Sequence, residues 1–242
     1  MLRRILLTVI GFVLAGTLFA AETRAQFKGG ADLREPGMNT AGVFQKVFGR
    51  DPTAAEKAEW ASLANDEAVL ESNLKTLLKQ PKGAEELRLV IDRAYNRSFG
   101  RASTAKNMAY WQARIKNEIL GYADLMNASR EWLKKNATER QETIQRAYLW
   151  ALGRDPLPGD MDYWSQEVQA KGTNYVEIRD ACVNYMLGSK KDQIEELRGV
   201  ILRAHAAANL PAPKDSEIKK WMVEVSAKKF TYHRLVKELK GN

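Results

Sequence analysis

Cysteine and histidine are nearly absent from this sequence. Cys182 is the only cysteine, and His205 and His233 are the only two histidines. One thiol cannot form a disulfide within the chain, and no cysteine and histidine positions have the spacing of a zinc site. We therefore expect no disulfide framework, no metal site and no cofactor.

Motifs that carry catalysis are also missing. The chain has no Gly-x-Ser-x-Gly, no glycine-rich phosphate loop and no Asp-x-Asp-x-Asp-Gly calcium loop. The adjacent pairs Glu85-Glu86 and Glu195-Glu196 are poor acid/base partners, because neighbouring side chains on a helix do not face each other. Both pairs begin an apolar-periodic segment, where negative charge suits the helix dipole.

Long apolar runs are confined to the N-terminus. Arg3 and Arg4 precede the apolar stretch 5–19, and small residues follow it. This order predicts a secretory signal peptide over residues 1–25, cleaved after Ala25 or alternatively after Ala20 or Ala21. An uncleaved membrane anchor is the alternative. The signal peptide predicts export to the periplasm or the cell exterior, and residues 26–40 form a polar leader.

The chain is basic, with a net charge of +8, or +6 without residues 1–25. An excess of Lys favours anionic partners such as envelope polymers or lipid head groups, although a solvated surface gives the same composition. The C-terminal part is richest in lysine, at Lys219-Lys220, Lys228-Lys229, Lys237 and Lys240. Because the chain is predicted to be exported, we expect no nucleic-acid partner.

An internal repeat dominates the rest of the sequence. Gly-Arg is followed ten residues after the Arg by Trp in three copies: Gly49-Arg50 with Trp60, Gly100-Arg101 with Trp111, and Gly153-Arg154 with Trp164. A fourth, degenerate copy keeps Trp221 and has lost the Gly-Arg. Alternating β-type runs are lacking, so we predict an all-α fold of about four helical repeats of roughly 50 residues. Their predicted bounds are 41–90, 91–143, 144–199 and 200–242.

Each repeat can be interpreted in physical terms. Ile144, Ala147, Tyr148, Ala151 and Leu152 share one helical face. Gly153, like Gly49 and Gly100, is then expected to end that helix in a left-handed conformation. We expect Asp155-Pro156, and likewise Asp51-Pro52, to cap and start the second helix. In the second copy Ser103 or Thr104 takes this role.

The tryptophans are expected to lie in the second helix of each repeat and to anchor it on the first. Further apolar-periodic segments predict a third helix over 69–78, 122–133 and 176–187. Cys182 falls on the apolar face of the last of these and is predicted to pack as a small apolar residue, with an intermolecular disulfide as the alternative. His205 replaces the repeat aromatic and is predicted to be a helix-face residue.

The repeat resembles the bacterial family called domain of unknown function 4214. The resemblance rests on an aromatic residue, Leu-Gly-Arg-x-Pro and a following Tyr-Trp, as in Tyr148, Leu152 to Pro156 and Tyr163-Trp164. It covers roughly residues 40–240. The resemblance implies an all-helical fold found in secreted and surface proteins, similar to the protein-binding linker domains of phycobilisomes. It implies no general catalytic activity and no cofactor.

Three functional interpretations remain open. The first is a non-enzymatic scaffold or protein-interaction module of the envelope or extracellular space. The second is an envelope hydrolase acting on cell-wall polymer, with Glu118, Glu131 or Glu167 as candidate carboxylates. The third is a binder of anionic envelope polymer that acts through its basic face. Separately, Arg50, Arg101 and Arg154 could line one side of the fold and bind anionic groups. These arginines could equally bond helix-end carbonyls or acidic residues of their own repeats.

Overall fold

The computed structural model describes residues 40–241, and within this range it is all-α, with 78% helix and no strand. The predicted signal peptide and the leader up to residue 39 lie outside the described residues. No helix in residues 40–241 is long and apolar enough to cross a bilayer. The all-α fold class predicted from the sequence is therefore confirmed.

Twelve α-helices are found in residues 40–241. They are α1 Thr40–Phe48, α2 Ala54–Glu59, α3 Glu67–Lys79, α4 Ala84–Phe99, α5 Ala105–Asn117, α6 Tyr122–Lys135, α7 Ala137–Leu152, α8 Pro158–Lys171, α9 Tyr175–Met186, α10 Lys191–Ala207, α11 Asp215–Lys228 and α12 Tyr232–Leu239. The third helices expected from the sequence correspond to α3, α6 and α9.

The helices divide into two compact units, α1–α6 over residues 40–135 and α7–α12 over residues 136–241. In the first unit α1 packs against α3 and α6, and α4 packs against α6. Its core contains Phe44, Phe48, Leu74 and Ile91, none more than 1% exposed. The apolar faces of the first and third helices thus supply the interior of this unit.

The second unit has the same internal arrangement. Here α7 packs against α9 and α12, and α10 packs against α12. The face predicted from Ile144 and Tyr148 is buried, and Cys182 and Leu235 meet it in the core. Each unit thus contains six helices, and the helix contacts of the second unit parallel those of the first.

Left-handed residues end the first helices. Gly49, Gly100 and Gly153 have φ of 70°, 67° and 69°, a conformation that costs glycine no steric clash. In the degenerate copy α10 ends at Ala207, and Asn209 takes a φ of 58°. Asparagine is the residue that tolerates this conformation best after glycine.

The predicted caps of the second helices are wrong in two copies. Thr53 caps α2, and α8 begins with Pro158 at its first position after Leu157. Asp51 and Asp155 instead accept hydrogen bonds from Gln45 and Gln145 at 3.0 and 2.7 Å. Because these carboxylates are held back towards the first helix, the chain stays extended for two more residues before the next helix starts. In the second copy Thr104 is the cap, as one of the two alternatives proposed.

Candidate functional site

The first Gly-Arg motif, Gly49-Arg50, lies in a cluster of charged side chains between helices. Arg50 donates to both oxygens of Glu56, at 2.8 and 2.6 Å, and to both oxygens of Glu86, at 3.2 and 3.0 Å. Arg93 also binds Glu86 and donates from Nε to the carbonyl of Phe48 at 2.8 Å. The cluster therefore joins the end of α1 to the start of α2 and to α4.

The second unit repeats the cluster with one residue changed. Arg154 donates to Glu196 at 2.9 Å and to Asp160 at 3.3 Å, so aspartate takes the place of Glu56. Arg203 binds Glu196 at 2.6 Å and donates from Nε to the carbonyl of Leu152 at 3.0 Å. Both guanidinium groups also lie over aromatic rings, Arg154 over Tyr148 at 5.4 Å and Arg50 over Phe48 at 5.3 Å.

The electrostatics follow from this pairing. Hydrogen bonds from Arg50 lower the pKa of Glu56 to about 2. Burial alone would lower the pKa of Arg154, but hydrogen bonds and charge from Glu196 and the charge of Asp160 outweigh it and raise the pKa. These arginines are therefore fixed as cations that hold helices together, the within-repeat alternative considered from the sequence.

Arg101, in the second copy, lies over the rings of Tyr95 and Phe99 at 5.4 and 5.3 Å. Its Nη1 donates to the carbonyl of Ala102 at 3.3 Å. The three motif arginines thus share a position beside the aromatic residues that end the first helix.

The residues that complete the clusters were not predicted from the sequence. Glu86 and Arg93 are seven residues apart on α4, and the pair recurs as Glu196 and Arg203 on α10. A third pair with the same spacing, Glu139 and Arg146 on α7, is joined at 2.8 Å. The spacing Glu-x6-Arg on α4, α7 and α10 is the sequence signal for these pairs, whereas the position of Glu86 and Glu196 near a helix start predicts only an interaction with the helix dipole.

Three tyrosines recur at one spacing within the chain, and this spacing was also not predicted. Tyr122, Tyr175 and Tyr232 each follow the repeat Trp by eleven residues and begin the third helix. The ring of Tyr122 covers Gly49 and that of Tyr232 covers Gly153. These glycines are therefore needed twice, for their backbone conformation and for the room that they leave the ring.

The tryptophans occupy different environments. Trp111 and Trp164 are buried and donate from Nε1 to the hydroxyls of Tyr95 and Tyr148 at 3.2 and 3.1 Å. Trp60 is only half-buried and follows α2 as its C-cap rather than lying inside it. Its placement in the second helix was wrong, because α2 spans only six residues and ends before reaching it.

In the degenerate copy Trp221 is half-buried and meets His205 edge-on, with 6.5 Å between ring centroids. His205 is 3% exposed, and neither ring nitrogen has a hydrogen-bond partner among the described residues. It lies where Tyr95 and Tyr148 lie in earlier copies, but it offers Trp221 no hydroxyl.

Cys182 is free and fully buried, and burial raises the pKa of its thiol.

One open depression of about 360 Å³ lies in the second unit beside α7 and the loop that follows it. Gln141, Glu142, Gln145 and Asp155 line much of it. The hydrogen bond from Gln145 to Asp155 crosses its wall at 2.7 Å, and Glu142 is paired with Arg146 at 3.2 Å. Three polar side chains of its lining, Glu142, Gln145 and Asp155, are therefore already paired within the protein.

The three candidate hydrolase carboxylates are each paired with a base on the same helix or at its end. Glu118 binds Arg114 and Glu131 binds Lys134, both at 2.8 Å, and these partners lower the pKa of each carboxyl. Glu167 binds Lys171 at 2.6 Å. A general acid needs a raised pKa, so the pKa values of Glu118 and Glu131 are shifted in the opposite direction.

No group of three acidic, histidine or cysteine residues within 40–241 could hold a metal ion.

Comparison with known proteins gives no relative from which a role could be transferred. The chain matches no protein-family model, no curated protein and no solved structure. The geometry of its own residues is therefore the basis for what this helical protein does.

Proposed function

We propose that the chain is an exported, non-enzymatic helical-repeat protein that acts as a protein-interaction or scaffold module of the cell envelope or extracellular space. Export is supported by the signal-peptide pattern of residues 1–25. Membership of the domain of unknown function 4214 family is part of the proposal and is supported by the motif quoted above.

The division into four repeats is also part of this proposal. It is supported by the three left-handed glycines and by the recurrence of Glu-x6-Arg on α4, α7 and α10. The Tyr that follows Trp111, Trp164 and Trp221 by eleven residues adds a third independent element in the same register. Arrays of this kind present continuous side-chain surfaces and commonly bind other proteins.

The observation that carries the interaction role is the exposure of large apolar side chains on the first unit. Tyr110 on α5 is 55% exposed, Ile119 after it is 60% exposed, and Trp132 on α6 is 53% exposed. Tyrosine and tryptophan are the residues that most often dominate binding energy at protein interfaces. The fold does not require them at the surface, since the buried Trp111 already anchors α5.

Site-specific photocrosslinking in intact cells tests this proposal. A photoreactive residue at position 132 or 110 is expected to give one discrete protein adduct. The same residue at the exposed Lys57 serves as the control and is expected to give none. Adducts of equal yield from all three positions, or turnover of a cell-wall glycan by the purified protein, would refute the scaffold role.

A further inference from the structure

The last two helices, α11 and α12, carry an unusual concentration of positive charge. Seven basic side chains, here called the basic end, lie between residues 219 and 240: Lys219, Lys220, Lys228, Lys229, Arg234, Lys237 and Lys240. All seven are exposed. Of these seven side chains, only Lys228 forms an ion pair with another residue within 40–241, namely with Glu224 at 2.8 Å. Most of this charge is therefore unneutralised.

Part of the basic end is gathered around one buried ring. Phe230 is 2% exposed, with Lys228 Nζ at 5.5 Å and Arg234 Cζ at 5.1 Å from its centroid. Glu224 and Glu238 are the acidic groups that act on Lys228. The two helices carry four carboxylates, Asp215, Glu217, Glu224 and Glu238, and the seven basic side chains outnumber them. This surface therefore has a net positive charge.

The fold does not call for this charge. In the equivalent helices of the first unit, aligned on Trp111 and Trp221, the positions of Lys219 and Lys220 hold Ala109 and Tyr110. Lys228, Lys229 and Arg234 correspond to Glu118, Ile119 and Asp124, and Lys237 corresponds to Asn127. Lys240 corresponds to Arg130, which is also basic. Six of the seven basic positions are therefore occupied in the first unit by neutral or acidic residues.

Lys229 keeps its charge at a conformational cost. It ends α11 with a φ of 50°, in a region that disfavours side chains with a Cβ. Its equivalent in the preceding repeat, eight residues after Trp164, is Gly172, which ends α8 with a φ of 70°. A lysine stands where glycine would suit the backbone better, which is typical of a residue kept for function.

An exposed apolar side chain adjoins the lysines. Val223 is 70% exposed on α11, one turn beyond Lys219 and Lys220. Its equivalent in the first unit is Ala113. Basic side chains beside an apolar one suit a lipid surface, where cations meet headgroup phosphates and the apolar group enters the interface. A soluble polyanion would gain nothing from Val223.

We propose that the basic end docks peripherally on an anionic phospholipid surface. The role goes beyond the proposed scaffold function and needs no protein partner. It holds or fails independently of the crosslinking result at positions 110 and 132.

Vesicle binding by the full chain tests the proposal. The quantity measured is the ratio of affinities for vesicles with 30% phosphatidylglycerol in phosphatidylcholine and for pure phosphatidylcholine vesicles. This ratio removes any contribution of the apolar run 5–19, which all variants share. Triple substitution of Lys219, Lys220 and Lys237 by Glu is expected to lower the ratio on the order of 100-fold. The control replaces the exposed Lys57, Lys106 and Lys116 by Glu and is expected to change it less than about threefold.

Lys229→Gly separates binding from folding. It is expected to raise the urea midpoint, because the left-handed backbone is relieved, while lowering the affinity ratio about fivefold. Equal losses of binding in the two triple variants, or an unchanged ratio in Lys229→Gly, would overturn the proposal. Tighter binding to inorganic polyphosphate than to the anionic vesicles would overturn it in favour of a soluble polymer.

Discussion

The ring of Tyr232 lies directly against Gly153. A Cβ added to residue 153 would be 2.4 Å from Cδ2 of that ring, and Tyr122 stands in the same relation to Gly49, at 2.6 Å. In both units the first helix, α1 or α7, thus ends beneath the tyrosine that begins the last helix of the unit, α6 or α12. Through this contact, the glycine that ends one helix also determines how closely the tyrosine of another helix can pack.

Gly153→Ala is expected to destabilise the protein by about 3 kcal/mol, because left-handed strain adds to the clash with Tyr232. Gly241→Ala is the matched control, since Gly241 also has a positive φ of 72° but has nothing within 4 Å of an added Cβ. Its cost should be about 1 kcal/mol or less. Urea unfolding measures both values. Equal costs would show that the ring contributes nothing.

Arg154→Met is expected to cost about 2–4 kcal/mol of unfolding free energy, because it leaves the buried Asp160 without its cation and leaves Glu196 with Arg203 alone. The control is Arg198→Met. Arg198 pairs with Asp215 at 2.7 Å, but the side chains are 45% and 77% exposed, so the loss should stay below about 1 kcal/mol. A small loss at Arg154 would contradict a helix-joining role for the motif.

Glu56 gives a pH signature to the first cluster. Its pKa of about 2 in the folded chain lies below the ordinary value of 4.5, so its stabilisation is complete above pH 4.5 and is lost as the pH falls towards 2. We expect this loss to be on the order of 1–2 kcal/mol after solvent screening. Glu56→Gln should flatten the stability profile over that window, whereas the exposed Glu59→Gln should leave it unchanged.

Tyr148→Phe is expected to cost about 1–2 kcal/mol, because the buried Trp164 Nε1 loses its acceptor. Tyr110→Phe, at an exposed phenol, is the control and should cost less than about 0.5 kcal/mol. Chemical unfolding again provides the measurement. Matching values would mean that the Tyr148 hydroxyl is not used in the core.

His205→Tyr is expected to stabilise the second unit by about 1 kcal/mol, because it supplies Trp221 with the hydroxyl that Trp111 and Trp164 already have. The reciprocal change Tyr148→His should destabilise. A lower unfolding midpoint for His205→Tyr would show that the last copy has diverged too far to accept the repeat residue.

The sequence predicted the helices and their spacing well because these depend on local signals. The glycines that end α1, α4 and α7, and the apolar face around Ile144 and Tyr148, could be recognised within one repeat. The failure of Asp51 and Asp155 to cap the next helix could not be recognised in this way, because it depends on the hydrogen bonds that Gln45 and Gln145 donate to these carboxylates. Asp-Pro matches the capping pattern, but the helices begin a few residues later, at the cap Thr53 in the first copy and at Pro158 in the third.

The partners of Arg50 and Arg154 were harder to predict, because Glu86 and Glu196 are 36 and 42 residues away. Nothing local marks them, and only comparison of one repeat with the next brings out Glu-x6-Arg. The same comparison distinguishes the basic end. Lysines that look like an ordinary solvated surface become informative once the equivalent positions in the first unit hold other residues.

The buried thiol of Cys182 has a practical consequence. Because the folded chain encloses its only cysteine, a single cysteine introduced on the surface would be the one site open to a maleimide dye or spin label. Position 223 or 132 could be labelled in this way without first removing the native residue. The distance and polarity changes reported by such a probe would then follow lipid or protein docking directly, in a core left unaltered.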